Sequence, residues 1–257
     1  MIAILTVSHG TSDPLGQQAV AAFAEAVHEA VDADIAAHAF VDVQQPNLAS
    51  ALNDLPAEAT IVIVPLLLSR GYHLGHDIPQ ATRPYGQRVI VAGALGPHPR
   101  LAEVLRRRLQ EAGAGSADSV VLAAAGSSDR AGVEDGLDAG LLLGIAAHRP
   151  VTVGFLSAAQ PNLADAIARV SADAPAGART VAASYLLAPG YFQRLAETST
   201  ADIVTTPLLH PDRTPDWELV AVARERYFAA LSDSAVPLSP VSTPRRRARD
   251  TTEATRP

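Results

Sequence analysis

The stretch Phe40-Val41-Asp42-Val43-Gln44-Gln45-Pro46-Asn47-Leu48-Ala49-Ser50-Ala51-Leu52 carries most of the architectural information in this chain, because its frame returns later. Phe155-Leu156-Ser157-Ala158-Ala159-Gln160-Pro161-Asn162-Leu163-Ala164-Asp165-Ala166-Ile167 keeps the Phe, Gln-Pro-Asn-Leu and Ala positions. Working outward, Val7–Asp13 (VSHGTSD) is answered by Ala124–Asp129 (AAGSSD), and Pro65–His73 (PLLLSRGYH) by Ser184–Phe192 (SYLLAPGYF). The three offsets are about 116, 115 and 119 residues, a spacing near a normal domain size. The chain therefore reads as two tandem copies of one unit, joined near Glu111 to Asp118, where Gly, Ala and Ser cluster.

Within the first copy, short β-branched runs (Ile2–Val7, Ile35–Val41, Ile61–Leu68, Val89–Ala92) alternate with helical patterns (Leu15–Val31, Leu48–Leu55, Ile78–Thr82, Leu101–Ala112). Strand–helix alternation predicts α/β architecture with a parallel sheet covered on both faces, the doubly wound class. The expected units are 1–114, 115–232 and a disordered tail, 233–257, rich in Arg and Pro.

Composition excludes several chemistries. The 257 residues contain no cysteine, which removes disulfides, thiol nucleophiles and thiolate metal sites. All 20 basic residues are arginines. Schiff-base chemistry and a Walker A phosphate loop therefore lack their lysine. A net charge of −7 argues against non-specific nucleic-acid binding. Met1 leads straight into an apolar strand, with no basic segment before it and no run long enough to span a membrane. A cytoplasmic protein, with no nucleic-acid or membrane partner, is the expectation.

Open parallel sheets bind ligands just beyond the C-terminal ends of their strands. Three such loops in the first copy hold unusual residues. His9 ends the first strand and either caps a turn or faces the crevice. Gly10 beside it permits a sharp turn. Asp42 follows the second strand, as a helix cap, a turn residue or a ligand. The third loop, Ser69 to Pro79, holds Arg70, Tyr72, His73, His76 and Asp77. His9, Asp42 and His73 converging on one crevice would suit a divalent metal with open positions, or proton transfer near neutral pH. The second copy has Gly126 or Ala125, Ser157 and Phe192 in these places, so its frame persists while its chemistry is gone. One half is expected to be active and one silent. His28 (helix) and His38 (strand) read as structural, His98 and His210 as turn residues in matching loops, and His148 as a cation at a helix end.

SHGTSD, FVDVQQPNL and PLLLSRGYHLGHDIP, the last with a histidine spaced by three residues from Asp-Ile-Pro, together resemble the CbiX-type sirohydrochlorin chelatases over residues 2–112. The second copy fits a degenerate partner domain, giving two tandem chelatase-like domains. The resemblance implies a lyase inserting Fe²⁺ or Co²⁺ into sirohydrochlorin, in sirohaem or cobalamin biosynthesis. The metal is then substrate, and no organic cofactor is needed. The resemblance maps the family's histidines onto His9 and His73, as catalytic and metal-binding residues. It places Asp42 where a glutamate is usual, with His76 as an additional candidate. Arg70, Arg83, Gly10 and Tyr72 are the expected substrate contacts, the arginines because the tetrapyrrole carries many carboxylates. Two domains paired across one cleft would leave the protein a monomer. Competing readings are a chelatase for another tetrapyrrole, which would want a more apolar pocket and fewer arginines, and a non-catalytic metal or tetrapyrrole carrier. A serine hydrolase lacks its Gly-x-Ser-x-Gly elbow.

Overall fold

The computed structural model describes residues 1–234. The expected tail therefore lies, from residue 235 on, outside the described residues. Two four-stranded sheets form, in the orders β2-β1-β3-β4 and β6-β5-β7-β8. The first contains β1 (Ile2–Ser8), β2 (Ile35–Phe40), β3 (Thr60–Pro65) and β4 (Val89–Val91), and the second β5 (Ser119–Ala124), β6 (Val151–Phe155), β7 (Thr180–Tyr185) and β8 (Ile203–Val204). Every pairing is parallel; the helices α1 (Pro14–Ala30), α2 (Leu48–Asp54), α3 (Ile78–Thr82), α4 (Pro99–Glu111), α5 (Arg130–Ala147), α6 (Leu163–Ala172) and α7 (Tyr191–Glu197) connect the strands, and α8 (Trp217–Asp233) follows β8. The α/β class with parallel sheets is as read from the alternation. No helix among the described residues is long and apolar enough to cross a membrane.

The repeated frame has a local cause. Phe40 N–H donates to Pro46 O and Phe155 N–H to Pro161 O, both at 3.0 Å, so each loop turns back on the end of its strand. Asn47 then caps α2 by accepting from Ser50 N–H, and Asn162 caps α6 by accepting from Asp165 N–H. Leu48 and Leu163 follow into the core. Gly10 and Gly126 sit at φ +90° and +91°, where a Cβ would also overlap the carbonyl oxygens of Asp42 and Ser157. These pairs settle the internal alignment: Gly126 matches Gly10, so Ala125 stands where His9 stands.

Packing crosses the boundary between the copies. Helix α4 lies against β7, α5 and α8, while α8, from the end of the second copy, lies against β3, β4, α1 and α4. Each copy's last helix thus covers the other copy's sheet. One continuous core results, in which Ile4, Phe23, Val64 and Leu105 join Leu122, Leu143, Phe155 and Tyr227. Two smaller clusters lie on the outer faces, under α2 and α3 and under α6. Polar ties follow the same exchange. Arg226 donates to Ala94 O and Arg224 to Ala30 O, while Arg107 pairs with Asp216 and Glu218.

Candidate functional site

The C-terminal strand ends of both sheets open onto one cavity of about 610 Å³, a normal size for a small-molecule site. The first copy contributes the loops after β1, β2 and β3. The second contributes the loops after β5, β6 and β7, together with Tyr191 and Phe192 at the start of α7. The half expected to be silent therefore builds the opposing wall. The expected strand Ile61–Leu68 stops at Pro65, and Leu66–Leu68 leave it to line the cavity.

His9 and His73 meet in the wall, with ring centroids 4.7 Å apart and planes at 86°. His73 Nδ1 lies 2.5 Å from Asp77 Oδ2, and His9 Nδ1 lies 3.2 Å from Gly10 O. A carbonyl or carboxylate oxygen accepts, so Nδ1 of each ring carries the proton and Nε2 keeps its lone pair for a metal or a proton. Asp77 reaches His73 because His73–Asp77 form one π-helical stretch, in which Ile78 N–H donates to His73 O. From the sequence, Asp77 reads only as a member of the third loop, with no partner. Its helical spacing of four from His73 is the signal that could have found this pair.

The expected triad of His9, Asp42 and His73 is not assembled: no cluster of three or more metal-binding side chains occurs among the described residues. Asp42 is exposed, lies off the cavity lining and accepts from its own neighbour, Val43 N–H, at 2.8 Å. The short aspartate folds onto its own turn, which lies against Gly10. Gln44 from this loop does line the cavity and accepts from Thr11 N–H at 2.9 Å, joining the first two loops.

Both expected arginine contacts are corrected. Arg70 turns to the buried Asp135 of α5, donating from Nε (3.0 Å), Nη2 (2.7 Å) and its backbone N–H (2.6 Å). It clasps the two copies together instead of facing the cavity. Arg83 lies on the exposed turn after α3, away from the lining. Among the described residues no arginine lines the cavity, whose wall is mostly apolar apart from serine, threonine, tyrosine and glutamine groups and the two histidines. Tyr72 lines it and stacks on His76, with centroids 4.6 Å apart and planes at 8°, while His76 itself lies outside the lining. Tyr185 reaches across from β7, its hydroxyl donating to Leu68 O at 3.1 Å, and burial pushes its pKa up.

Behind the wall runs a chain of polar side chains. Ser8 Oγ lies 3.1 Å from His38 Nε2, His38 Nδ1 lies 2.8 Å from Thr6 Oγ1, and Thr6 Oγ1 lies 2.9 Å from His28 Nε2. The two histidines read as structural are thus linked to the cavity through Ser8. His98 and His210 do serve turns, accepting on Nδ1 from Arg100 N–H and Asp212 N–H. His148 ends α5 in the left-handed conformation, at φ +52°.

Burial depresses the His38 pKa from 6.5 to about 4, and lowers that of His28 as well. A histidine depressed in the folded state binds fewer protons there than in the unfolded chain. Its stabilising effect is therefore complete above pH 6.5 and is lost as pH falls toward about 4. We expect acid titration to weaken the fold by on the order of 3 kcal/mol across that window from His38. Urea unfolding at stepped pH checks this: His38→Gln should flatten the slope, and an unchanged slope would contradict it.

The CbiX family model matches residues 3–112. A sirohydrochlorin cobaltochelatase of Sulfurisphaera tokodaii is 30% identical over 114 residues, covering 43% of this chain and 93% of the relative. A sirohydrochlorin ferrochelatase of Priestia megaterium is 30% identical over 177 residues, covering 65% of this chain and 66% of the relative. The structure of SirB from Bacillus subtilis with Fe³⁺ superposes with a TM-score of 0.74 at 23% identity, covering 91% of this chain and 99% of that one. That likeness extends the shared fold across both sheets.

Proposed function

The chain belongs to the CbiX family of sirohydrochlorin chelatases, and from that premise we propose that it is a lyase inserting a divalent metal, Fe²⁺ or Co²⁺, into sirohydrochlorin. The observation that carries the reading is the His9–His73 pair at 4.7 Å in the wall of a cavity of about 610 Å³. A divalent metal entering a tetrapyrrole displaces two pyrrole protons. Each Nε2 lone pair can hold the incoming metal or take a proton. Asp77 orients His73 for this, and Gly10 lets the His9 loop turn into the wall. Tyr72 from one copy and Tyr191 and Phe192 from the other supply aromatic faces for the ring. With one core and one cavity completed by a single chain, a monomer is sufficient.

On this reading, with no arginine among the described lining residues, the substrate's carboxylates sit at the open mouth, where water solvates them, and the ring in the interior. The same lining favours a second reading, a chelatase for a less carboxylated tetrapyrrole. Anaerobic metallation followed by absorbance separates the two. With Co²⁺ or Fe²⁺ present, sirohydrochlorin should be metallated far above the uncatalysed rate and protoporphyrin should not. The reverse preference selects the second reading. No turnover with either, and metal or ring retained, selects a carrier.

A further inference from the structure

The proposed reaction releases two protons per metal inserted, and a flat substrate seated over the exposed His9 and the half-buried His73 would separate them from bulk water. We propose that Ser8 and His38 relay these protons from the covered cavity to solvent, with Thr6 and His28 continuing the path outward. The inference rests on the metallation reading of the cavity.

From Ser8 outward the path is continuous. Ser8 lines the cavity, and each of the next three links is a hydrogen bond of 3.1, 2.8 and 2.9 Å ending at His28 on α1. His28 and His38 are both partly exposed, so the far end of the chain meets water. The donors and acceptors are mutually consistent. Ser8 O–H donates to His38 Nε2, His38 Nδ1–H donates to Thr6 Oγ1, and Thr6 O–H donates to His28 Nε2. When a proton adds to Ser8 Oγ, each group passes its own hydrogen along and His28 Nδ1–H releases one to water. One proton enters and one leaves, no charge remains, and hydroxyl rotation with tautomer exchange resets the chain. Ala37 O, 3.3 Å from Thr6 Oγ1, is the alternative acceptor for the threonine hydrogen. The ionisable groups that face the histidines are Glu25, beside His28, and the two imidazoles themselves. Burial keeps His38 neutral near pH 7, so a proton passes through it and is not trapped.

The internal repeat supplies a control. In the sheet register Thr6 faces His38, and the matching pair in the second sheet is Leu122 and Val153. Ser8 corresponds to Ala124, and His28 to Gly144. The second copy folds in the same way with every link replaced by an apolar or small residue, so the fold does not require the chain. The chain accompanies the imidazole pair, in the one copy that has it.

Single-turnover metallation tests the proposal with Ser8→Ala and His38→Gln, the second keeping volume and hydrogen bonding without a relayable proton. Thermal melting shows that the variants are folded. Both should metallate roughly tenfold or more slowly at low buffer concentration, with substrate affinity unchanged. A high concentration of a small, weakly metal-binding sulfonate buffer should restore the rate, because a diffusible base replaces the relay. Folded variants as fast as wild type overturn the relay. Slow variants that buffer does not restore also overturn it, since the residues then act through structure. If wild type fails to metallate, the functional reading falls and takes the relay with it. If wild type metallates and His38→Gln matches it, only the relay falls.

Discussion

His73→Ala is expected to lower the metallation kcat by about 10²–10⁴-fold while the melting temperature stays near that of wild type. The ring sits in a cavity wall and its partners are the His9 ring at 4.7 Å, the Tyr72 ring at 6.1 Å and one carboxylate at 2.5 Å, so little of the core depends on it. His9→Ala should behave alike, because two protons leave and one imidazole cannot both hold a metal and accept them. Asp77→Asn leaves an amide oxygen to accept from Nδ1–H and should cost roughly 10–100-fold, the usual effect of a partner that orients a ligand. Anaerobic absorbance kinetics check all three. A His73→Ala protein turning over at wild-type speed would remove the imidazole pair from the chemistry.

The second large effect concerns the fold. Arg108 is buried (5% exposed) and donates to Leu208 O at 2.7 Å, to Pro207 O at 3.2 Å, to Glu111 and to Asp216. Arg108→Met keeps much of the volume but strips two carbonyls of this donor and leaves the Asp216 and Glu111 carboxylates with only Arg107 and Arg213. A loss of about 3–5 kcal/mol is expected, as for other broken buried pairs. Since α4 and α8 each cover the other copy's sheet, the loss should appear in one cooperative transition. Urea unfolding followed by circular dichroism, and by fluorescence of Trp217 on α8, measures it. Two separate transitions, one copy melting before the other, would contradict the shared core.

Much of this was legible in the residues. Strand and helix positions agree within a residue or so across most of the first copy, because β-branched runs bounded by Gly, Pro and Asn are local signals. The correction came at Pro65, where Leu66–Leu68 continue the apolar run yet belong to the cavity. The crevice holding the histidines was also legible, since a parallel sheet gathers its C-terminal strand ends along one edge, but only the order β2-β1-β3-β4 puts the ends of β1 and β3 side by side. Asp42 was not. Whether a short carboxylate reaches a neighbouring loop or its own backbone depends on a few ångströms of turn geometry, and here Val43 N–H is nearer.

Arg70 shows the limit most clearly. A guanidinium beside a histidine loop reads as a substrate contact, but its partner, Asp135, lies 65 residues away on the other copy. Thr6, Ser8, His28 and His38 were likewise unremarkable one at a time, and only sheet register and the packing of α1 join them. Local periodicity, caps and the repeated Gln-Pro-Asn-Leu turn were enough to establish two parallel α/β units, with chemistry concentrated in the first. The exchange of α4 and α8, the cavity built from both copies and the pairing of each charged side chain came only with folding. Those features follow from long-range complementarity of surfaces, where a side chain's nearest partner is set by packing and not by its neighbours in the chain.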